Sequence, residues 1–454
     1  MSNFSNHIFR DYDIRGIYRK DFDESFAYDL GVASCLYSNG GRIVIGHDFR
    51  NGSDSLSQSF SEGAVNAGCD IVDIGNVPVP VLYYASKKIQ SKIGVMVTAS
   101  HLPAGWNGFK FCDHNGIPIS ADNGLNNIRN NMGFNRKKEK IGSFTHLNIS
   151  ESYSEHVTSL IKIKKELKVI FDYGDSVTSL IVPLIARKLK IDYYEINNSR
   201  SGDFPNRTSE LTPSSMAKLG DKVIEKGADV GIAYDGDGDR FGLVDAEGKI
   251  YYSGNSIIQL FCILMPSSLR NKAVIYDVTC SGAVKDTIIK SGGIPIESRV
   301  GQSYIAKLAI ANGAIFGGQY SCHNCFQEND YIDDAIYSSF KFLDLLSSQR
   351  NSLSALSRYI LDYPHTEIEN ITVEEKVKKI IIEKIDDTLK EKGYNVISRL
   401  DGLKVELDDC WCLIRPSNTS PVIRVNAEGK NAKEVEIFHK ICSDIVKGAI
   451  KNDQ

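Results

Sequence analysis

Short strings of valine and isoleucine, each stopped by glycine or aspartate and separated by stretches of helix length, recur along most of the chain. Runs of this length and composition read as strands buried on both faces. "GRIVIGHD", "CDIVDIG" and "KIGVMVTAS" form a first set. "LKVIFDYG", "KIDYYEI" and "ADVGIAYDGDGD" form a second, with "SLIVPLIARKLK" as a helix inside it, and "KAVIYDVTCS", "GGIPIES" and "GAIFGGQYS" form a third. Strand and helix alternating at this spacing predict α/β units on largely parallel strands, three of them in tandem. After about residue 364 the texture changes. "HTEIENITV", a Lys/Glu helix, "DGLKVEL", "CWCLIRPS" and "PVIRVNAEG" alternate like antiparallel strands, and "AKEVEIFHKICSDIVKGAI" closes the chain as an amphipathic helix. A distinct α+β domain is expected there, and 454 residues exceed what one core can hold.

Composition narrows the function classes. A net charge of -4 and no long Lys/Arg cluster argue against nucleic acid or a membrane surface as partner. The run "RKKEK" at 136–140 reads as a solvated loop or helix face. "MSNFSNHIFRDYD" turns polar and charged at once, unlike a secretory leader, so a cytoplasmic protein is expected. The ten cysteines, often inside apolar strings such as "QLFCILM", are expected to be reduced core residues. Cys322/Cys325 and Cys410/Cys412 lack the paired C-x-x-C spacing of a zinc site.

In open α/β sheets ligands bind beyond the carboxyl ends of strands, where this chain places its polar, glycine-rich segments. "DGDGDR" puts Asp235, Asp237 and Asp239 at alternate positions, and the glycines between them let the carboxylates converge on a hard cation. An EF-hand is excluded because its glycine and glutamate positions fall on Arg240 and Ala246. A plain acidic turn would stack like charges without relief. Arg240 adds a bidentate phosphate donor beside the triplet. "RPSNTSP" gathers a guanidinium, hydroxyls and an amide in a turn that suits phosphate, though such clusters are also ordinary turns. "GGQYSCHN" offers an amide, a hydroxyl and an imidazole for sugar hydroxyls, or simply a loop with a structural histidine. In "VTASHLPAGWNGFKF" no G-x-S-x-G elbow surrounds Ser100, and no P-loop occurs anywhere. Ser100 therefore reads better as a phosphate carrier than as a hydrolase nucleophile.

Taken in order, "FRDYDIRG", "TASH…NGFK", "DGDGDR", a G-x-x-S-x-H loop, "DDAI" and "RPSNTSPVIRV" resemble the α-D-phosphohexomutase superfamily, most closely its bacterial phosphomannomutase/phosphoglucomutase branch. The resemblance implies three tandem α/β domains with mixed sheets (1–146, 147–249, 250–363) and a smaller C-terminal α+β domain (364–454) around a central cleft. It implies interconversion of hexose 1-phosphate and hexose 6-phosphate through a phosphoserine and a hexose 1,6-bisphosphate. Ser100 would carry the phosphate and ligate Mg²⁺ with Asp235, Asp237 and Asp239, and Arg240 would stabilise it. His101 and Lys110 would move protons, with Arg15 assisting. Tyr12, Gln319, Ser321 and His323 would hold the sugar, and Arg415, Ser417, Asn418, Thr419 and Arg424 the other phosphate. Closure of the C-terminal domain over the ligand is expected, and monomer and dimer both remain open.

Four positions depart from the family pattern. Leu102 stands where Asn is usual, Gln319 replaces the sugar-loop Glu, Thr279 a common Lys and Gln302 a common His. They leave open a phosphoglucosamine mutase, another hexose-phosphate mutase of surface-glycan synthesis, and a catalytically impaired sugar-phosphate binder.

Overall fold

The computed structural model describes residues 6–134, 141–417 and 420–451, which build four sheets in chain order. The basic run at 136–140 and the pair Asn418 and Thr419 lie outside the described residues. The first sheet contains β1 (Ile14–Ile17), β2 (Gly41–His47), β3 (Cys69–Asn76), β4 (Ile93–Val97), β5 (Trp106–Asp113) and β6 (Phe144–His146), in the order β1-β5-β4-β2-β3-β6. β7 (Lys168–Asp172), β8 (Asp192–Ile196), β9 (Val230–Tyr234), β10 (Phe241–Asp245) and β11 (Ile250–Tyr251) make the second, in the order β11-β10-β9-β7-β8. The third holds β12 (Ala273–Asp277), β13 (Ile294–Ser298), β14 (Phe316–Gly318) and β15 (Asn324–Phe326), in the order β13-β12-β14-β15.

These three sheets share one plan. Two or more parallel strands, buried at the sheet centres (β4, β7, β9, β12 and β14) and more exposed at the edges (β8 and β13), are followed by a hairpin that adds an antiparallel strand: β4–β5, β9–β10 and β14–β15. The sheets are therefore mixed, and the returning strands are the part that the apolar strings did not mark. In β5, "WNGFKFCD", Gly108 and Lys110 interrupt the apolar residues, yet Lys110 pairs with Met96 inside the sheet.

The fourth sheet is wholly antiparallel: β16 (Glu369–Thr372), β17 (Asn395–Ser398), β18 (Leu403–Leu407), β19 (Cys410–Pro416) and β20 (Val422–Gly429), in the order β16-β20-β19-β18-β17. Its amphipathic helices Lys378–Glu391 and Ala432–Lys451 cover one face and close a separate core around Ile381, Ile385, Val405, Ile414 and Phe438. By contrast one continuous core runs from the helix Val79–Lys88 through the second sheet to Phe340 in the third unit. The first three units are thus fused by apolar packing. The fourth meets the third across polar contacts such as Lys404 Nζ to Glu297 Oε1 (2.7 Å) and Gly282 N–H to Glu428 Oε1 (2.7 Å).

The cysteine expectation is corrected at one place. Cys35, at the end of the helix Glu24–Tyr37, and Cys69, at the start of β3, form a disulfide with a Cα–Cα distance of 5.7 Å. Only the packing of that helix against the sheet brings together residues 34 apart in sequence. The other eight cysteines are free and buried. Among the described residues no helix is long and apolar enough to cross a membrane.

Candidate active site

Each sheet delivers one hairpin turn to a common cavity of about 560 Å³. The β4–β5 turn carries Ser100, the β9–β10 turn Asp235 to Arg240, the β14–β15 turn Gln319 to His323, and the β19–β20 turn Ser417 and Ser420. His101, Arg240, Gln319, Ser321, His323 and Ser420 line the cavity from these four turns. Arg10, Arg15, Lys110, Arg240, Arg415 and Arg424 line it too, against only Asp13 and Glu210, so it attracts anions.

Ser100 lies beneath this surface, fully buried, in a left-handed conformation with φ +53° that costs a non-glycine residue about 1 kcal/mol or more. Its Oγ donates to Asp235 Oδ2 at 3.3 Å and lies 3.4 Å from His101 Nδ1. The turn of the second domain reaches it closely because Gly236 has no side chain: a Cβ there would sit 2.3 Å from the Ser100 carbonyl oxygen.

Asp235, Asp237 and Asp239 are buried with their ligand atoms within 4.8 Å of one another. Lys110 Nζ donates to Asp237 Oδ2 (2.8 Å) and Asp239 Oδ2 (2.6 Å), while the buried Oδ1 atoms of both aspartates have no hydrogen-bond partner. Orphaned oxygens on an all-oxygen set fit a hard divalent cation. Burial, then the charges of Asp239 and Asp237, push the Asp235 carboxyl well up. Burial and Asp239 also raise Asp237. For Asp239 burial is outweighed by Lys110, His323 and Arg240, which hold it ionised. The Lys110 ammonium loses to burial but gains more from Asp237 and Asp239, so it stays protonated. Arg240, burial, Arg15 and Lys110 keep His101 neutral.

Behind the sugar loop, His323 Nδ1 lies 2.9 Å from Asp333 Oδ2, and Arg240 Nε donates to His323 Nε2 at 3.0 Å. "DDAI" thereby acquires two distinct functions. Asp333 orients the imidazole, and Asp334 caps the helix Ala335–Ser347 by accepting from Tyr337 N–H at 2.8 Å.

At the far end, Arg415 and Arg424 are opposite residues of β19 and β20. Arg415 Nε donates to Asp401 Oδ2 at 2.9 Å, while Arg424 makes no hydrogen bond or ion pair among the described residues. Lys378 braces the turn by donating to the carbonyls of Ser417 (2.6 Å) and Ser420 (2.8 Å). Ser417 is buried and is not part of the cavity wall. Tyr12 donates to the Val300 carbonyl at 2.7 Å, and Arg15 Nε to Asp13 Oδ2 at 2.7 Å.

The departures also find places. Leu102 lines the cavity, and its carbonyl is gripped by Arg50 Nη2 at 2.6 Å. Gln302 packs its amide on the His323 ring, 3.1 Å from Nε2. Thr279 donates to Asp277 and faces an adjoining cavity of about 490 Å³ that shares Ser321, Arg415 and Arg424 with the first. Arg50, Asp401 and Lys378 escaped the sequence reading, while Thr98 and Asp333 lie in its "TASH" and "DDAI" motifs without a role of their own. For Arg50 a signal existed: "GRIVIGHDFR" ends a buried parallel strand in a charged pair, where ligand loops are expected.

Four turns converging on a cavity lined by arginines and Lys110, above a carboxylate triplet, form an enzyme-like site suited to an anionic substrate and a divalent cation. The chain belongs to the phosphoglucomutase/phosphomannomutase family, matching its alpha/beta/alpha domains I, II and III over residues 6–138, 151–248 and 253–363 and its C-terminal domain over 369–442. It is 34% identical over 435 residues to a phosphomannomutase/phosphoglucomutase of Pseudomonas aeruginosa, covering 94% of this chain and 93% of that one. A probable phosphoglucosamine mutase of Methanothermobacter thermautotrophicus is 32% identical over 406 residues, 88% of each chain. The crystal structure of a phosphoglucomutase/phosphomannomutase family protein from Burkholderia thailandensis superimposes with a TM-score of 0.89 at 28% identity, covering 98% of both chains.

Proposed function

We propose that this phosphohexomutase interconverts the 1- and 6-phosphates of mannose, glucose or both through a phosphoserine at Ser100 and a hexose 1,6-bisphosphate. The observation that carries this reading is the placement of Ser100 Oγ 3.3 Å from a buried carboxylate triplet, just beneath a cavity lined by arginines and Lys110. In the first half-reaction the Ser100–O–P bond breaks, a sugar hydroxyl oxygen bonds to phosphorus, and the hydroxyl proton leaves. The proton transfers are assigned to His101 and Lys110 by position: His101 Nδ1 lies 3.4 Å from Ser100 Oγ, and Lys110 lines the same cavity. Arg15 and Arg240 offset charge on the transferring group. The bisphosphate then turns over, and Ser100 takes back the other phosphoryl group.

Tyr12, Gln319, Ser321 and His323 hold the sugar. Arg415 and Arg424, with Ser417, Asn418 and Thr419, hold the phosphate not in transfer. Asp235, Asp237, Asp239 and the phosphoserine would bind Mg²⁺, which supplies charge stabilisation for the phosphoryl group. The domains divide at 146/147, 249/250 and 363/364.

The altered residues 279, 302 and 319, together with the phosphoglucosamine mutase relative, support a second reading in which the preferred sugar is glucosamine. Assay of mannose, glucose and glucosamine 1-phosphates with Mg²⁺ and a trace of the matching bisphosphate decides between them. Turnover of mannose or glucose phosphate is expected to dominate; no turnover of any of the three sinks the mutase reading.

The separate core of the fourth domain and its polar contacts with the third suit rotation about the connection near residue 364. Ligand binding is expected to draw Arg415 and Arg424 inward and to reduce the radius of gyration in solution scattering. An unchanged profile at saturating hexose phosphate would contradict closure.

A further inference from the structure

We propose that Arg50 is a positioning residue of the phosphoryl-transfer centre, acting with Asp48 and Thr98 through the backbone of the Ser100 turn. The inference rests on the reading of Ser100 as phosphate carrier. Arg50 is almost wholly buried. Its guanidinium donates to three main-chain carbonyls of the β4–β5 turn, Ser100 (2.6 Å), Leu102 (2.6 Å) and Pro103 (2.9 Å), and to that of Trp106 at the start of β5 (3.2 Å). Ser100, Leu102 and Pro103 lie between the strands, outside the sheet ladder, and a planar fork of donors reaches their carbonyls together where an ammonium cannot.

The remaining contacts close a circuit on Ser100. Its N–H donates to Thr98 Oγ1 at 2.9 Å, and Thr98 Oγ1 donates to Asp48 Oδ2 at 2.7 Å. The same carboxylate oxygen lies 3.2 Å from Arg50 Nε, and Arg50 Nη2 returns to the Ser100 carbonyl. Both polar backbone atoms of Ser100, the left-handed non-glycine residue of this turn, are therefore held by a single network. Thr98 Oγ1 also lies 3.2 Å from Asp237 Oδ2, which links the circuit to the carboxylate triplet. From the second domain, Phe204 places its ring 4.8 Å from the guanidinium, and Ser209 Oγ donates to the carbonyls of His101 (2.8 Å) and Leu102 (3.0 Å). Arg50 thus fixes where Ser100 Oγ points without touching substrate.

The test compares Arg50→Lys, Thr98→Val and Thr98→Ser in the full chain, with kcat and KM measured separately on the hexose 1-phosphate that the parent turns over. Arg50→Lys and Thr98→Val are expected to lower kcat about a hundredfold, because a misplaced nucleophile costs rate while Arg415 and Arg424 still bind phosphate. KM stays within a few-fold, Thr98→Ser recovers most of the rate, and thermal midpoints do not follow the order of the rates. Parental kcat in Thr98→Val, equal impairment of Thr98→Val and Thr98→Ser, or a loss carried by KM overturns the inference. If Arg50→Lys does not fold, the Thr98 pair decides alone. Full activity in Ser100→Ala would instead overturn the phosphoserine reading itself.

Discussion

Replacing Ser100 by alanine is expected to lower kcat by at least about a thousandfold while leaving the chain folded and able to bind hexose phosphate. The fold survives because Ser100 Oγ contributes only a 3.3 Å contact to Asp235 and a 3.4 Å contact to His101, and the backbone that holds the turn is retained. Binding survives because Arg415 and Arg424 come from a different domain. The rate falls because Ser100 Oγ sits beside both the carboxylate triplet and His101, whereas Thr98 Oγ1 is engaged by Asp48 Oδ2 and the serines of the cavity wall, Ser120, Ser303, Ser321 and Ser420, lie on other elements. Steady-state kinetics with calorimetric binding of the same hexose phosphate separates these effects. A Ser100→Ala protein that retains even a tenth of parental kcat would favour a different phosphate acceptor, and one that binds but never reacts in the parent as well would be the impaired homologue.

The second large effect concerns the cation. Asp237→Asn is expected to cost about a hundredfold or more in kcat, and chelation of the parent to cost as much. Two changes combine in the variant. One charge leaves a buried set whose Asp237 and Asp239 Oδ1 atoms have no partner, and Lys110 is left with Asp239 as its remaining carboxylate. The pH dependence has a definite sign. Burial and mutual repulsion raise the carboxyls of Asp235 and Asp237, so the metal-free site tends to retain protons that a cation must displace. Mg²⁺ affinity should therefore rise with pH, with proton release on binding, and Mg²⁺ should raise the thermal midpoint more at pH 8 than at pH 6. Titration calorimetry in buffers of different ionisation enthalpy measures both. Affinity that is flat with pH, or an Asp237→Asn protein of parental activity, would place the cation elsewhere.

Much of this was legible before any coordinates. Local rules suffice for "DGDGDR": three carboxylates with glycines between them on a strand end can do little but converge. Strands β2, β4, β7, β9, β12 and β14 announce themselves because parallel strands buried on both faces are continuous apolar strings, while β3, β8 and β13 are partly exposed and show through the strand–helix alternation instead. The returning strands of the hairpins do not. β5 carries Lys110 at a position that is buried only because Asp237 and Asp239 arrive from another domain, some 130 residues away. Arg50 is hidden for the same reason: its partners are backbone carbonyls, which leave no trace in residue identity. The disulfide between Cys35 and Cys69 depends on how a helix end meets a strand start, which spacing alone does not encode. Asp401, which accepts from both Arg415 Nε and the Val300 N–H, joins two domains through contacts that only the assembled cleft defines.

The central claim is that Ser100 carries a phosphoryl group to and from a hexose phosphate, and phosphoryl exchange on the intact protein tests it most directly. Incubated with Mg²⁺ and hexose 1,6-bisphosphate, the parent should gain the mass of one phosphoryl group, mapped to Ser100 by peptide sequencing. It should lose that group on addition of a hexose phosphate at a rate no slower than kcat, and Ser100→Ala should gain nothing. Turnover of hexose phosphates by a protein whose Ser100 never carries phosphate, or carries it without passing it on, would contradict the account.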